Sequence, residues 1–342
     1  MENYRERQQG GIVLTEQVNI VQAKILKELL ADGRQSYAEI AKKIGETKEI
    51  VEKNYNKMIE IGVITGATIH INYKSFGYKA VAYTLISAKP RQAKQIIEYL
   101  KKMPEVYAFF NRGIKGNFDA IVILKTLEQL NDFKDSIKKH FSIFEIKTAM
   151  WIDVKEMNQN LAITNSNTKA QEKAINRPIN ILRQNNSKSI IVDEIDQKIA
   201  DKLSENGRVS METISKEIGI SCDNAKRRYE KLKKKGVLKV TIQVNPNKIG
   251  YQALAVFFTV TSNANSSAII EKISRIPDII SIMKTTGDYD LQIYAMIKDI
   301  RQFLSIQEEL GKIQGIIKMD TEILGLDHWK KWPSPRQYIS TF

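Results

Sequence analysis

The sequence predicts an α+β chain in which one unit is written twice, each unit a winged helix-turn-helix followed by a ferredoxin-like βαββαβ domain. Three observations predict it. The chain aligns with itself, each copy opens on three short helical stretches closed by glycines, and each then follows a strand–helix–strand–strand–helix–strand rhythm. A shift of 174 residues superposes Gly33-Arg34 on Gly207-Arg208 and gives eleven identities among the 32 positions 33–64. A shift of 173 superposes Gly77-Tyr78 on Gly250-Tyr251 and Pro104 on Pro277. A shift of 171 superposes Gly116-Asn117-Phe118-Asp119 on Gly287-Asp288-Tyr289-Asp290.

In the second copy, Ile195, Ile199 and Leu203 recur every four residues as a helical face, with Asp193 as N-cap and Gly207 as the stop. Ser210 opens SMETISKEIG, which buries Met211, Ile214 and Ile218 and closes at Gly219. Ser221 caps SCDNAKRRYEKLKKKG, whose apolar face is Ala225, Tyr229 and Leu232 and whose end is Gly236. VLKVTIQVN then alternates and reads as a strand pair, the β-ribbon of a wing. The first copy repeats the series as a helix over Val18–Leu30, SYAEIAKKIG, TKEIVEKNYNKMIEIG and VITGATIHIN.

The remainder of the second copy predicts a strand in GYQALAVFFTVTS and a helix over Ala268–Arg275. Strands follow over Ile279–Thr285 and Asp290–Ile297, then a helix over Ile300–Leu310 and a strand over Gly315–Leu324. The first copy predicts the same order at Tyr78–Ile86, Gln92–Lys102, Val106–Asn111, Phe118–Leu124, Leu127–His140 and Phe144–Val154. Leu254, Val256, Phe258 and Val260 alternate with Ala253, Ala255 and Phe257, so this strand is apolar on both faces. Its helices cover one face only, and the other expects a second cover, a like domain stacked sheet to sheet. The boundaries drawn are 15–72 and 73–157 for the first unit, 158–190 for a polar linker, 191–246 and 247–326 for the second unit, and 327–342 for a tail. The linker is rich in Asn, Ser, Gln and Lys, with a helical piece around Thr168–Ile175.

The 342 residues carry 53 Lys+Arg against 39 Asp+Glu, a net charge of +14. The excess divides into +6 for residues 1–160, +4 for 161–190 and +4 for 191–342, so no single domain owns it. Such a balance permits nucleic-acid or anionic-surface binding. The longest apolar run, Ala253–Val260, falls far short of the roughly 20 residues of a membrane helix. MENYRERQQGG has no apolar signal core, so a cytoplasmic location is expected. One cysteine, Cys222, excludes an intrachain disulfide and a multi-cysteine metal site, and His70, His140 and His328 lie far apart. No short-range catalytic constellation, metal set or cofactor motif stands out, and a non-enzyme is expected.

IDQKIADKLSENGRVSMETISKEIGIS, YEKLKKKGVLK, NPNKIGY and TGDYDL at Thr286–Leu291 together resemble the Lrp/AsnC (leucine-responsive, or feast/famine) family of transcription regulators over the whole second copy. The first copy carries the likeness more loosely in ILKELLADGRQSYAEIAKKIG, MIEIGVITG, YKSFGY and KGNFDA. The resemblance implies double-stranded DNA binding by the first domain of each unit. It implies sensing of an amino acid or similar small molecule by the second, RAM-type domain. Family chains usually hold one unit and pair through their second domains, so two joined units suggest an intramolecular pseudo-dimer, a homodimer, or both.

Ser221–Lys235, the recognition helix, holds seven basic and two acidic residues, net +5. Lys226, Arg227, Arg228 and Lys231 stand at its centre, where cations meet phosphates, and Ser221, Asn224, Arg227 and Arg228 can hydrogen-bond DNA. The resemblance places Arg228 where the family has an arginine and Lys231 where it favours a basic residue. Lys233–Lys235 also suit the negative end of the helix dipole. The counterpart Thr47–Ile61 has Lys48, Lys53 and Lys57 against Glu49, Glu52 and Glu60, net zero, with Asn54 in place of Arg228. The first reader is therefore expected to be weaker, differently specific or degenerate. Thr286, Gly287, Asp288, Tyr289 and Asp290 suit a tight hairpin on backbone grounds, and the resemblance makes them effector-site candidates. Cys222 reads as a small filler, and the tail's Trp329, Trp332 and Tyr338 as aromatics docked on their own domain or on a partner. Two other functions compete: a siroheme-decarboxylase-like enzyme, which needs cationic and histidine side chains around a tetrapyrrole, and a non-sensing architectural or corepressor-binding protein.

Overall fold

The computed structural model describes residues 18–111, 117–157, 160–163, 192–262 and 266–326. The piece expected around 168–175, the aromatic tail and residues 15–17 lie outside them. The first copy runs α1 (Ile20–Ala31), α2 (Tyr37–Ile44), α3 (Lys48–Glu60), β1 (Ile64–Ile71), β2 (Ala80–Ala88), α4 (Ala93–Leu100), β3 (Val106–Asn111), β4 (Asn117–Leu124), α5 (Glu128–His140) and β5 (Ile143–Glu156). The second runs α6 (Glu194–Glu205), α7 (Met211–Ile218), α8 (Cys222–Lys234), β6 (Leu238–Val244), β7 (Ala253–Thr261), α9 (Ser266–Ile273), β8 (Ile279–Thr285), β9 (Leu291–Ile297), α10 (Ile300–Gly311) and β10 (Ile316–Gly325). The helix starts follow from their caps. Ser36, Thr47, Asp193, Ser210 and Ser221 each accept a backbone N–H of the first turn, and left-handed Gly45 and Gly219 close α2 and α7.

The wing differs from the sequence expectation. VLKVTIQVN forms one strand, not a local pair, and its partner is the other copy: β1 and β6 make a two-stranded antiparallel sheet, with Ala67 opposite Ile242 and Ile71 opposite Leu238. Alternation specifies that a strand forms and which face it buries, but not which strand it pairs with. A bulge between Ile64 and Gly66 gives β1 the extra residue that changes the repeat offset from 174 to 173.

The helix-turn-helix units sit on this ribbon reciprocally. Gly33 N–H donates to Val240 O and Gly207 N–H to Ala67 O, both at 2.9 Å. Thr241 Oγ1 donates to Leu30 O and Thr68 Oγ1 to Ser204 O, both at 3.0 Å, serving carbonyls at the ends of α1 and α6. Arg34 Nη1 donates to Gly207 O and Val209 O at 2.8 Å, while Arg208 Nη1 donates to Gly33 O at 2.6 Å. Each guanidinium also lies near an aromatic ring of the opposite copy, Arg34 5.3 Å from Tyr229 and Arg208 5.1 Å from Tyr55. Lys233 closes the seam on Asp32 Oδ2 at 2.8 Å.

The ferredoxin-like domains share one eight-stranded sheet, ordered β10-β7-β9-β8-β5-β2-β4-β3. β5 joins the halves, pairing with β2 up to Trp151 and with β8 from Trp151 to Glu156. Tyr83 on β2 and Phe258 on β7 are four strand spacings apart along the sheet, about 19 Å if it were flat. Their ring centres are 6.0 Å apart, so the sheet curls and its halves face each other. Leu254, Val256 and Phe258 enter the core shared with Val81, Tyr83 and Trp151, whereas Ala255 and Phe257 face α9 and α10. The second face is thus covered by the like domain, as its two-sided apolar pattern requires.

Glycines 33 and 207 have no room for a side chain. A Cβ on Gly33 would lie 2.8 Å from Thr241 C, and one on Gly207 would lie 2.7 Å from Val240 Cγ1 and 3.0 Å from the Thr68 backbone. Gly33→Ala or Gly207→Ala is expected to lower unfolding free energy by about 1–3 kcal/mol or more through overpacking. The control Gly311→Ala, with nothing within 4 Å of the added carbon, is expected to be neutral or to stabilise α10 by roughly 0.5–1 kcal/mol. Urea unfolding of the three variants checks both signs.

Candidate nucleic-acid interface

α8 buries Ala225, Tyr229 and Leu232, at spacings of four and three, against its own reader. The opposite side then carries Asn224, Arg227 and Lys231, positions i, i+3 and i+7 of one helical row. Lys226, Arg227 and Lys231 are exposed, and Asn224 is half-exposed. Ser221 is the N-cap, its Oγ accepting Asn224 N–H at 3.2 Å, and Arg227 Nη2 donates to Asn224 Oδ1 at 3.2 Å. This cationic row at the front of a recognition helix can meet phosphates and present an Arg–Asn pair to base edges.

Arg228 stands apart from that row. Its Nη1 donates to Asp193 Oδ2 at 2.7 Å and to Asp196 Oδ1 at 2.8 Å, and its side chain is 22% exposed. The two carboxylates hold its pKa above the ordinary arginine value. Asp193, whose carboxylate caps α6, is held low first by the Asp196 N–H and then by Arg228. Arg228 therefore clamps α8 to the start of α6. Sequence reasoning missed this clamp because its partners lie more than thirty residues upstream. Lys233, read as a dipole residue, is likewise the partner of Asp32. Cys222 is half-buried against the reader core.

The first reader keeps the scaffold and changes the row. α3 buries Val51, Tyr55 and Met58, and its outward row is Ile50, Lys53 and Lys57 where α8 has Asn224, Arg227 and Lys231. Ile50 is exposed, as are Lys48, Lys53 and Lys57, while Glu52 and Glu60 occupy the places of Lys226 and Lys234. Asn54, in the place of Arg228, donates from Nδ2 to Ile50 O at 2.9 Å. Its would-be acidic partners are absent too, because Asn19 and Gln22 stand where Asp193 and Asp196 do and form a neutral capping box. The charged clamp is replaced as a set.

The effector candidates Thr286–Asp290 form the β8–β9 turn, which lies on the seam between the copies. Thr286 N–H donates to Met150 O and Thr286 Oγ1 accepts Met150 N–H, both at 3.0 Å. Gly287 takes a φ of +98°, which favours glycine. Asp290 Oδ2 accepts Thr261 N–H at 2.6 Å, Tyr289 OH donates to Asp320 Oδ2 at 2.6 Å, and Asp288 is exposed. The Tyr289 hydroxyl is pushed up chiefly by that bond to Asp320. Behind the turn, buried Gln292 accepts Trp151 Nε1–H at 3.2 Å and the Tyr294 hydroxyl at 3.3 Å, a polar seam inside the curled sheet that the sequence did not reveal. The registers Ala80↔Leu124 and Ala253↔Ile297 hold the repeat offset at 173 through β4 and β9. Phe118 therefore corresponds to Leu291 and Asp119 to Gln292. The offset of 171 that superposed Gly116–Asp119 on Gly287–Asp290 is corrected: at an offset of 173 the counterparts of Thr286–Asp290 are residues 113–117, of which 113–116 lie outside the described residues.

Among the described residues no helix is long and apolar enough to cross a membrane. The AsnC-type helix-turn-helix domain matches residues 192–233, the Lrp/AsnC ligand binding domain residues 255–325, and a winged helix-turn-helix DNA-binding description residues 19–65. The HTH-type transcriptional regulator FL11 of Pyrococcus furiosus is 31% identical over 135 residues, 39% of this chain and 89% of that protein. An uncharacterized HTH-type regulator of Pyrococcus horikoshii, PH0140, is 30% identical over 154 residues, 44% of this chain and 96% of that protein. Nearly a whole relative thus matches less than half of this chain, as one unit of two. The solved structure of the siroheme decarboxylase NirDL is similar over 89% of this chain and 90% of its own, with a TM-score of 0.58 and 14% identity, a likeness of fold alone. With two units of helix-turn-helix and ferredoxin-like domain closed on each other, and a relative matched over nearly its whole length, the chain belongs to the Lrp/AsnC family.

Proposed function

We propose that this protein is a sequence-specific double-stranded DNA-binding transcription regulator, carrying in one polypeptide the two readers of a dimer. The exposed row Asn224, Arg227 and Lys231, with Lys226 beside it, is the observation that carries the reading. Lys226, Arg227 and Lys231 face DNA, Ser221 fixes the helix start, and Arg228 positions the helix through α6 rather than reading bases. Lys48, Lys53 and Lys57 give the first reader phosphate contacts, and exposed Ile50 replaces the polar side chain at the head of its row. The two arms of the DNA site are therefore unlike, and the protein works with its DNA in the cytoplasm. The turn at Thr286–Asp290, bonded across the seam to Met150, is the site at which an amino acid or similar small molecule acts.

The decarboxylase reading rests on fold alone and gains nothing from the placed histidines. His70 lies 2.7 Å from Glu156 at the ribbon, and His140 packs on Tyr99 at α5. An effector present at 100 times its Kd raises unfolding free energy by about 2.7 kcal/mol, so a thermal-shift panel of amino acids distinguishes the sensing reading from the non-sensing one.

DNA affinity is expected to fall linearly with log salt, with a slope of about −0.9 per phosphate neutralised. Replacing Lys226, Arg227 and Lys231 by Ala is expected to weaken binding by tenfold or more, at about 1–3 kcal/mol per specific contact. The matching change of Lys48, Lys53 and Lys57 costs less. Salt-insensitive binding, or equal losses from both sets, contradicts the assignment. Arg228→Ala leaves nearly buried Asp196 without its cation, and is expected to cost about 1–3 kcal/mol of stability, read by thermal unfolding without DNA.

A further inference from the structure

Asp278 is the one described non-glycine residue with a left-handed backbone, φ +64°, and it is 2% exposed. Such a buried, strained carboxylate persists only where its surroundings over-determine it. Here they come from several elements. Oδ1 accepts the Tyr251 hydroxyl and Ala162 N–H at 2.6 Å, and Oδ2 accepts Gln302 Nε2–H at 2.5 Å. Asp278 N–H donates to Asn160 O at 3.0 Å, and Asn160 Nδ2 donates to Ile276 O and Ile279 O. Lys298 donates to Ala162 O and stands over the Tyr251 ring. The residues bound in this way, 160–163, are the chain leaving the first copy, and they bury Leu161 and Ile163 in the shared core.

Lys27, on α1 of the first reader, is a buried charge of the first copy. It is 7% exposed and lies within the fields of Asp278 and Lys298. Burial pushes its pKa down to about 8, Asp278 pulling the other way and Lys298 adding to the fall. The mirror position is built differently. Asp201 takes the place of Lys27, Glu105 that of Asp278, and Lys125 stands 5.9 Å from the Tyr78 ring. Among the described residues, the ionic centre exists on one side of the pseudo-two-fold only.

We propose that Asp278 is a positioning residue for the first reader, fixing α1 and the 160–163 strap to the second copy's ferredoxin-like domain. The first reader is then placed in part by copy two, so the weaker DNA arm is held under control of the opposite sensing domain. The proposal rests on the reading that both helix-turn-helix units meet DNA.

The test uses the full chain, a duplex selected from random sequence, and the same duplex with the first reader's arm scrambled. The readout is the ratio of the two affinities, which a general loss of stability does not move selectively. Asp278→Asn keeps the shape and the left-handed backbone but removes the charge and sets an amide N–H against Gln302. It is expected to reduce the two-arm advantage by roughly tenfold, since a second contact held in the wrong place loses its high effective concentration, with one-arm affinity within twofold of wild type. Adding Gln302→Glu restores an acceptor and the negative charge, and is expected to restore the ratio. Lys27→Met is an independent variant that leaves the strap intact, and is expected to lower the ratio too. A ratio unchanged in both Asp278→Asn and Lys27→Met overturns the proposal, as does a wild-type ratio of one. Failure of the wild-type chain to bind any selected duplex instead sinks the regulator reading itself.

Discussion

Among the described residues neither β1 nor β6 has a hydrogen-bonded strand partner in its own copy, and each reader completes its wing across the pseudo-two-fold. Unpaired strand edges among apolar neighbours are costly to leave open, and the pairing satisfies both at once. The rest of the molecule is arranged around that pairing. Gly33 and Gly207 lack a side chain because the ends of α1 and α6 rest directly on the opposite strand's backbone, and Arg34 and Arg208 reach the carbonyls beyond. With the readers fixed there, the ferredoxin-like domains fold their apolar faces together and β5 runs from one into the other. Joining the copies in one chain turns a bimolecular assembly into an internal one, whose closure no longer depends on protein concentration.

Internal pairing also removes the symmetry that two identical chains must have. The two readers are free to diverge, and they diverge in sets. The outward row changes from Asn-Arg-Lys to Ile-Lys-Lys, and the Arg228 clamp disappears together with both of its acids, leaving Asn54, Asn19 and Gln22. The seam diverges too, with an ionic centre at Asp278 and, among the described residues, no equivalent at Glu105. One scaffold thus holds a strongly cationic reader and a nearly neutral one at a fixed relation.

Most of this was legible from local sequence. Capping residues, apolar spacings and closing glycines placed the helices and strands, and the duplicated pattern showed that whatever one copy did the other did again. Phe257 and Phe258, pointing to opposite faces, told that the sheet needed two covers. What stayed hidden was pairing at long range. VLKVTIQVN read as a local ribbon because alternation carries no label for the partner strand. Arg228 read as a base contact because Asp193 and Asp196 are distant in sequence but adjacent in the fold. The superposition of Gly116–Asp119 on Gly287–Asp290 followed composition, and only the strand register showed that Asp119 corresponds to Gln292. Lys27 gave no sign in the sequence of being a buried charge, since the charges that act on it, Asp278 and Lys298, are in the other copy.

One chain presents two helix-turn-helix units of unequal charge at a fixed relation. Selection of bound duplexes from a random library by the full chain tests it most directly. The expected product is a site of two arms at constant spacing, one strongly specified and the other weakly or differently specified, bound by a single chain. A palindrome with two equally specified arms, or a site bound only when two chains assemble on it, would contradict it.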